Sequence, residues 1–464
     1  MAAEMSAGVT PGVNPNRPGA QPARSVRNVL QVNIRLSEGG AAGVARTLAD
    51  ELRRVGIASP FAYGYGKRGR ASPLETEYHG VRMTPAPIAA LNRISYATRG
   101  TETGLVSPHL WRDFADAVRA SDVVHLHAIH SYFAPTERLL GEISRAGKPV
   151  VWTLHDQWIM TGRCAQPGTC RLWQNGCPQC PDLTAYPPAT IDHAAKRWQQ
   201  RYAAVRLLQQ SVPTSIVACA DWLADEAVTA GIENVTVVKN SVDRQFWNGL
   251  TVHPRVPAQH TRNLFLCRDL RDDNKVDWQL LSAIATVPGQ SLTIVGDNPE
   301  ANPSYTPDAA HTHPEAAGRG TAGAPFGVTY RPAIMDRVAL ARLMHEHDRL
   351  IFTSQVDYFP LTIAEALTAG LSIFAVDSQA AREFRAHPRV TLFGGTAALF
   401  AALRADDRAD HAAAPQPRAS TDAASFDSAI ATDPAHTDPA HTDFFAPSRM
   451  AAEYRAIYDS LLAR

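Results

Sequence analysis

The chain has 464 residues and a mass of 50.3 kDa, more than one ordinary domain of roughly 100 to 200 residues holds, so two large domains with additional segments are predicted. Its 45 Lys and Arg balance 45 Asp and Glu, which excludes a whole-chain field that would draw it onto nucleic acid. No apolar run approaches the roughly 18 residues of a bilayer span, and residues 1–23 lack the apolar centre of a signal peptide, so a soluble cytoplasmic protein is expected.

Residues 1–26 are rich in Ala, Pro and Gly with almost no large apolar side chain. Burial cannot offset their ordering entropy, and a disordered tail is predicted. From residue 27, short β-branched runs alternate with longer amphipathic ones: VLQVNI (29–34), DVVHLH (122–127), PVVWTLH (149–155), SIVAC (215–219) and VTVV (235–238). These read as buried parallel strands of a first domain over 27–250. A Pro-containing stretch near 252–263 without periodicity marks a linker. The alternation restarts with LFLC (264–267), LTIVG (292–296), RLIFTS (349–354) and SIFAVD (372–377), a second domain over 258–404. Residues 299–323 interrupt it with a low-complexity insertion predicted to be disordered. A similar tract over 405–445, in which DPAHT repeats, precedes a closing helix at 446–464 that begins with Pro447 and Ser448. The fold class is α/β, two doubly wound domains facing across a cleft at the carboxyl ends of their strands, where such folds bind ligands.

Four places could carry chemistry. Gly39 and Gly40 follow the first strand and open a helix, either to let backbone amides meet a phosphate or to make a tight turn with close helix packing. His127 and His155 end strands, where a polar side chain can hydrogen-bond a substrate hydroxyl; mid-strand His125 reads as core, and His130 falls in the loop beyond. In CRDLRDDNK, Arg268, Arg271 and Lys275 gather at a strand end, either as a pyrophosphate clamp or as a solvated loop paired with its own aspartates. In DYFPLTIAEALTAG, Asp357 lies in a loop, Pro360 starts a helix whose first amides (Leu361, Thr362) point at the cleft, and Glu365 either accepts hydrogen bonds from sugar hydroxyls or is a helix-start carboxylate favoured by the dipole.

The insertion at 160–182 holds Cys164, Cys170, Cys177 and Cys180 at spacings of five, six and two residues. The set suits a structural zinc, free thiols, or a disulfide such as Cys164 with Cys170. Nothing around them activates a catalytic thiolate.

In this order, EGGAAGVA, DVVHLH, TLHD, NSVD, IVGD and DYFPLTIAEALTAG resemble the signatures of glycosyltransferase family 4, whose retaining enzymes have the GT-B fold. NIRLSEGGAAGVA, FAYGYGKRGR, TLHDQWIMTGRC, DLRDDNK and DSQAARE are similar to its colanic-acid type of exopolysaccharide enzyme. The resemblance spans most of residues 28–385. It implies that Glu365 holds the nucleotide ribose and Asp357 the donor sugar, with Asp standing where Glu is usual and reaching less far. It implies further that Lys275, with Arg268 or Arg271, binds the diphosphate, that His155 contacts the donor sugar, and that Gly39 and Gly40 lie near the diphosphate and the acceptor. The implied donor is a UDP- or GDP-hexose, and the implied acceptor is a lipid-linked oligosaccharide. No metal is implied for catalysis, which fits the absence of Asp-x-Asp from the chain. A lipid-linked acceptor would bring the enzyme to the inner membrane face, where KRGR (67–70) either touches anionic lipid or is a plain solvated loop. The other readings are a GT-B nucleotide-sugar epimerase and a non-catalytic carbohydrate-binding partner in polysaccharide assembly.

Overall fold

The computed structural model describes residues 25–101, 103, 105–130, 132–250, 260–302, 327–410 and 443–464. The disorder predicted for 1–24, 303–323 and 411–442, and the linker at 251–259, lie outside them. The first domain is built on β1 (Val29–Asn33), β2 (Phe61–Tyr63), β3 (Val81–Arg82), β4 (Val123–Leu126), β5 (Val150–Leu154), β6 (Thr214–Ala218) and β7 (Val235–Val237), in the order β3-β2-β1-β4-β5-β6-β7. The second is built on β8 (Thr261–Asp269), β9 (Gln290–Asp297), β10 (Val328–Arg331), β11 (Arg349–Phe352), β12 (Ser372–Val376) and β13 (Val390–Phe393), in the order β10-β9-β8-β11-β12-β13. Every neighbouring pair is parallel. The order in which strands are added therefore reverses about β1 and about β8, and each sheet opens a crevice there at its strand ends.

The central strands match the apolar runs because a sheet covered on both faces has no polar side to show. β2, β3, β10 and β13 were not read from the sequence. They are two to four residues long at the sheet margins, too short to display a period. Several margins also differ from expectation: Val26, at the end of the predicted tail, is buried, β8 begins at Thr261 inside the predicted linker, Pro299–Ala301 makes a helical turn where the insertion begins, and helix Thr396–Asp410 and the helical turn Asp443–Phe445 run into the low-complexity tract.

The closing helix, Pro447–Leu462, leaves the second domain and packs on the first. Pro447 near its start loses no hydrogen bond there. Met450, Ala451, Tyr454, Tyr458 and Leu461 recur at helical spacing and bury against Val29, Leu48, Leu52, Val123, Val151 and Val217. Each large side chain buried in this way contributes about 1.5–3 kcal/mol over leaving it in water. Alternate residues of a strand share a face. Going up β1, β4 and β5 on the covered face, Val29 gives way to Gln31, Val123 to His125 and His127, and Val151 to Thr153. The sheet is thus apolar at its base and polar toward the ligand end.

Candidate active site

The polypeptide between β1 and helix Gly40–Arg54 turns at Gly39, whose φ of 95° a side chain would strain. A Cβ placed on Gly39, Gly40 or Gly43 would meet nothing within 4 Å. Close helix packing therefore does not explain these glycines; they leave open space above the backbone. The first intrahelical bond runs from Gly43 N to Gly39 O (3.1 Å), so the amides before it face outward at the positive end of the helix. Beside the turn, the Ser37 hydroxyl and one carboxylate oxygen of Glu38 are shielded with no protein hydrogen bond, polar groups that need water or a ligand.

Across from this turn the second domain presents the helix Leu361–Thr368, entered through Pro360. A cleft of about 700 Å³ separates the two and is lined by Gly39, Gly40, Arg268, Leu361, Thr362 and Glu365, together with Ser37, Asp243 and Arg337. Glu365 is 6% exposed and bonds Arg337, which also bonds Asp243 of the first domain. Burial pushes the Glu365 carboxyl upward, and the Arg337 charge only partly offsets that; for Arg337, burial opposes the charge but Glu365 and then Asp243 outweigh it. Sequence reasoning missed Arg337. It opens a helix capped by Asp336 and reads as an ordinary surface cation, and its partners lie 94 and 28 residues away.

The three cations after β8 separate in space. Arg271 is 64% exposed and forks onto Asp269 of its own loop at 2.9 and 2.7 Å, and it does not line the cleft described above. Arg268 lines the cleft and makes no ion pair among the described residues. Lys275 turns to the Asp357 loop: its Nζ lies 3.0 and 3.3 Å from the two carboxylate oxygens, and Ser354 Oγ donates to the same group at 2.7 Å. Burial opposes the Lys275 charge, but Asp357, with Asp272 and Cys267, holds its pKa above the ordinary value. The Thr353 hydroxyl donates to Lys275 O, and Gln355 N to Asn274 O, so the two loops are stitched together. Neither Lys275 nor Asp357 lines the cleft itself; they form a second charged pair on the loop that leads into Pro360.

The histidines divide differently from the expectation. His127 is 1% exposed and both its nitrogens are taken, Nε2 by Gln31 Oε1 (2.8 Å) and Nδ1 by His155 Nε2 (3.0 Å). It has no nitrogen left for a substrate hydroxyl, which corrects the expectation, drawn from its strand-end position, that it meets substrate on the acceptor side of the cleft. His125 is core as expected, held by Tyr458 and Thr153 at 2.7 Å each. His155 is half-buried, with Nδ1 bonded to no described residue. Burial lowers its pKa to about 4, and lowers that of His127 well below the usual value. His130 Nε2 lies 3.6 Å from Asp156 Oδ2, beside Trp158 and Tyr186; burial lowers its pKa against the pull of Asp156.

The cysteine insertion is pinned by charge. Arg163, 2% exposed, donates to the carbonyls of Asp182, Leu183, Ala185 and Pro187. Arg201 lies 3.7 Å above the Trp158 ring and donates to Trp158 O and Thr161 O. All four cysteines are free thiols. Cys164 is pushed up to about 12 by burial first and then by Cys177, Cys180 and Cys170, so the four share one neighbourhood. Among the described residues, no three Cys, His, Asp or Glu are gathered closely enough to hold a metal ion. The insertion meets the second domain where Tyr358 donates to Ala165 O (3.0 Å) and Gln157 Oε1 (3.2 Å) and stacks on Trp222.

Residues 38–246 match the family model for Glycosyltransferase Family 4. The chain is 32% identical over 380 residues to WcaC of Escherichia coli (strain K12), covering 77% of this chain and 84% of that protein, which is provisionally named a colanic acid biosynthesis glycosyl transferase. Anabaena Alr3699/HepE, crystallised with UDP-glucose, has a similar structure, with a TM-score of 0.50 at 15% identity over 94% of this chain and 98% of the other. Sucrose-phosphate synthase from Thermosynechococcus elongatus gives 0.51 at 13% identity over 94% and 99%. These two show the fold, the paired parallel sheets of GT-B. Identity at the WcaC level across most of both chains goes further: this chain belongs to glycosyltransferase family 4 and is a glycosyltransferase.

Proposed function

We propose that the enzyme transfers a hexose, with retention, from a UDP- or GDP-sugar to a lipid-linked repeat unit of a colanic-acid-like exopolysaccharide. The observation that carries the donor half is the joint lining of one cleft by the Gly39–Gly40 turn, Arg268, the Leu361–Thr362 helix start and Glu365. Departure of a nucleoside diphosphate builds negative charge on phosphate, and cations with free amides there lower the barrier. In this reading Arg268 and Lys275 meet the diphosphate, Glu365 the ribose and Asp357 the sugar hydroxyls. The leaving phosphate takes the acceptor's proton on the face it leaves, and these cations do the work of a divalent ion, so full activity in excess EDTA is expected.

The acceptor half is supported by WcaC and by one surface. Helix Ala86–Arg99 exposes Leu91 (48%) and Ile94 (58%) beside Arg93 and Arg99, and it packs against the turn Lys67–Gly69, where Lys67, Arg68 and Arg70 are exposed. Apolar side chains ringed by cations suit the surface of an anionic bilayer. Among the described residues no helix is long and apolar enough to cross a membrane.

The zinc reading of Cys164, Cys170, Cys177 and Cys180 rests on their spacing alone, because as placed no three of them gather closely enough to hold a metal ion. Nucleotide release from UDP- and GDP-sugars, with and without lipid-linked acceptor, tests the main reading. Release that requires acceptor and yields a joined sugar supports it. A rearranged sugar without acceptor would instead identify an epimerase, and donor binding without turnover a carbohydrate-binding role.

A further inference from the structure

Behind His155 lies a chain of hydrogen bonds whose direction can be worked out from one end. The Ser59 hydroxyl donates to Val29 O (3.4 Å), so its oxygen accepts from Gln31 Nε2 (3.0 Å). That contact fixes the Gln31 amide with nitrogen toward Ser59 and oxygen toward His127. An amide oxygen only accepts, so His127 carries its proton on Nε2 (2.8 Å). Its Nδ1 is then a bare lone pair and accepts from Nε2–H of His155 at 3.0 Å. His155, a neutral ring, is left with an unprotonated Nδ1 that no described residue occupies.

The closing helix covers the same face. Beside the relay, the Tyr458 hydroxyl meets His125 Nδ1 (2.7 Å), His125 Nε2 meets the Thr153 hydroxyl (2.7 Å), and Thr153 meets Tyr454 (2.7 Å). The rings stack in register, His125 on His127 at 4.2 Å and His127 on His155 at 5.3 Å. One string runs Ser59–Gln31–His127–His155, and a second, Tyr458–His125–Thr153–Tyr454, ties the closing helix to the same sheet face. None of these groups bears a charge at neutral pH, since burial depresses His125, His127 and His155 and raises Tyr454 and Tyr458.

We infer that Gln31 and His127 are positioning residues that fix His155 as the Nε2-protonated tautomer, so that its free Nδ1 accepts a hydrogen bond from one hydroxyl of the donor sugar. The second half of this inference rests on the reading above that His155 meets the donor sugar; the first half does not. A ring presenting a lone pair selects a hydroxyl that can donate and offers no proton to the leaving phosphate. The polar end of the β1–β4–β5 face is thereby a device for one tautomer, covered by the closing helix through His125, which stacks on His127.

The test is ¹⁵N NMR of the full chain labelled at histidine, with His155→Gln used to assign the signal. The expected result is a protonated Nε2 and an unprotonated Nδ1 at His155 in the wild-type enzyme. Protonation at Nδ1, or an averaged signal from both tautomers, overturns the relay on the wild-type enzyme itself, before any variant of Gln31 or His127 is made. Gln31→Met, close in volume, removes the amide and is expected to mix the His155 tautomers and to lower kcat/KM for donor about tenfold, the loss of one hydrogen bond to substrate. His127→Asn, whose amide oxygen can replace Nδ1 as acceptor, should keep the tautomer and most of the activity, and His127→Leu should keep neither. Equal behaviour of the Asn and Leu variants reduces His127 to a packing role and overturns its part. If Gln31→Met changes the tautomer and leaves donor kinetics untouched, the relay stands and the contact of His155 with the sugar falls.

Discussion

Lys275 Nζ and the Asp357 carboxylate lie 3.0 Å apart and join two loops that leave neighbouring strands, β8 and β11, of the second sheet. A cation that would meet the diphosphate and an acid that would meet the sugar are therefore one unit before any donor arrives. A donor whose phosphate draws on Lys275 loosens its hold on Asp357 and frees carboxylate lone pairs for hydroxyls. Ser354 keeps the carboxylate in place meanwhile.

Lys275→Ala is expected to lower transfer by about a hundredfold or more, the scale on which removal of one preorganised charge-stabilising group acts. The fold should survive, because Asp357 keeps Ser354 as a donor and is partly exposed. Steady-state kinetics and thermal unfolding of the variant check both statements.

Arg337→Ala strands Glu365 in a buried site with its carboxyl already pushed up by burial. Breaking a buried pair from one side costs about 3–5 kcal/mol at most, and less here because Arg337 is partly exposed. An acid whose folded pKa is raised binds more protons in the native state, so stability rises as pH falls through that pKa. The penalty of Arg337→Ala should therefore be larger at pH 8 than at pH 5.5, as measured by urea unfolding at the two values.

Acid should weaken the first domain through its histidines. His125, His127 and His155 have folded pKa values below the unfolded value of 6.5, His155 at about 4. The unfolded state then binds more protons between those limits, and stability falls as pH drops from 6.5 toward 4, by up to about 1.4 kcal/mol per pH unit for each. The raised carboxyls of Asp156 and Glu365 act in the opposite sense and temper the slope. Unfolding free energies across pH 4–7, compared between wild type and His125→Gln, measure it.

In metal-free protein the Cys164 thiol, pushed up to about 12 by burial, has almost no thiolate at neutral pH and should alkylate far more slowly in the folded chain than in urea. Cys164→Ser should retain near wild-type transfer. Metal analysis of the same purified protein decides the zinc proposal: one zinc per chain supports it, and essentially none removes it.

The central strands were legible because β1, β4, β5 and β11 are buried apolar runs whose identity does not depend on distant contacts. Gly39, Gly40 and Glu365 were legible for a related reason: they follow strands, and strand ends face the cleft in any doubly wound sheet. Arg337 was not, since its meaning comes from Asp243 and Glu365 and not from its neighbours in sequence. A strand-end histidine reads alike whether it faces the cleft or lies beneath it. What occupies His127 is Gln31 on the next strand and His155 after β5, partners 96 and 28 residues away in sequence. Arg271 and Arg268 likewise look equivalent in CRDLRDDNK. Only the backbone turn gives Asp269 to Arg271 and leaves Arg268 to line the cleft.

Calorimetric titration with the nucleoside mono- and diphosphates tests most directly whether cations of the second domain converge on the donor's two phosphates. Wild-type enzyme should bind the diphosphate at least about tenfold more tightly than the monophosphate, as expected when one phosphate gains charge-assisted hydrogen bonds. That margin should largely vanish in the Arg268→Ala, Lys275→Ala double variant. A margin of the same size in wild type and double variant would contradict the assignment of Arg268 and Lys275 to the donor.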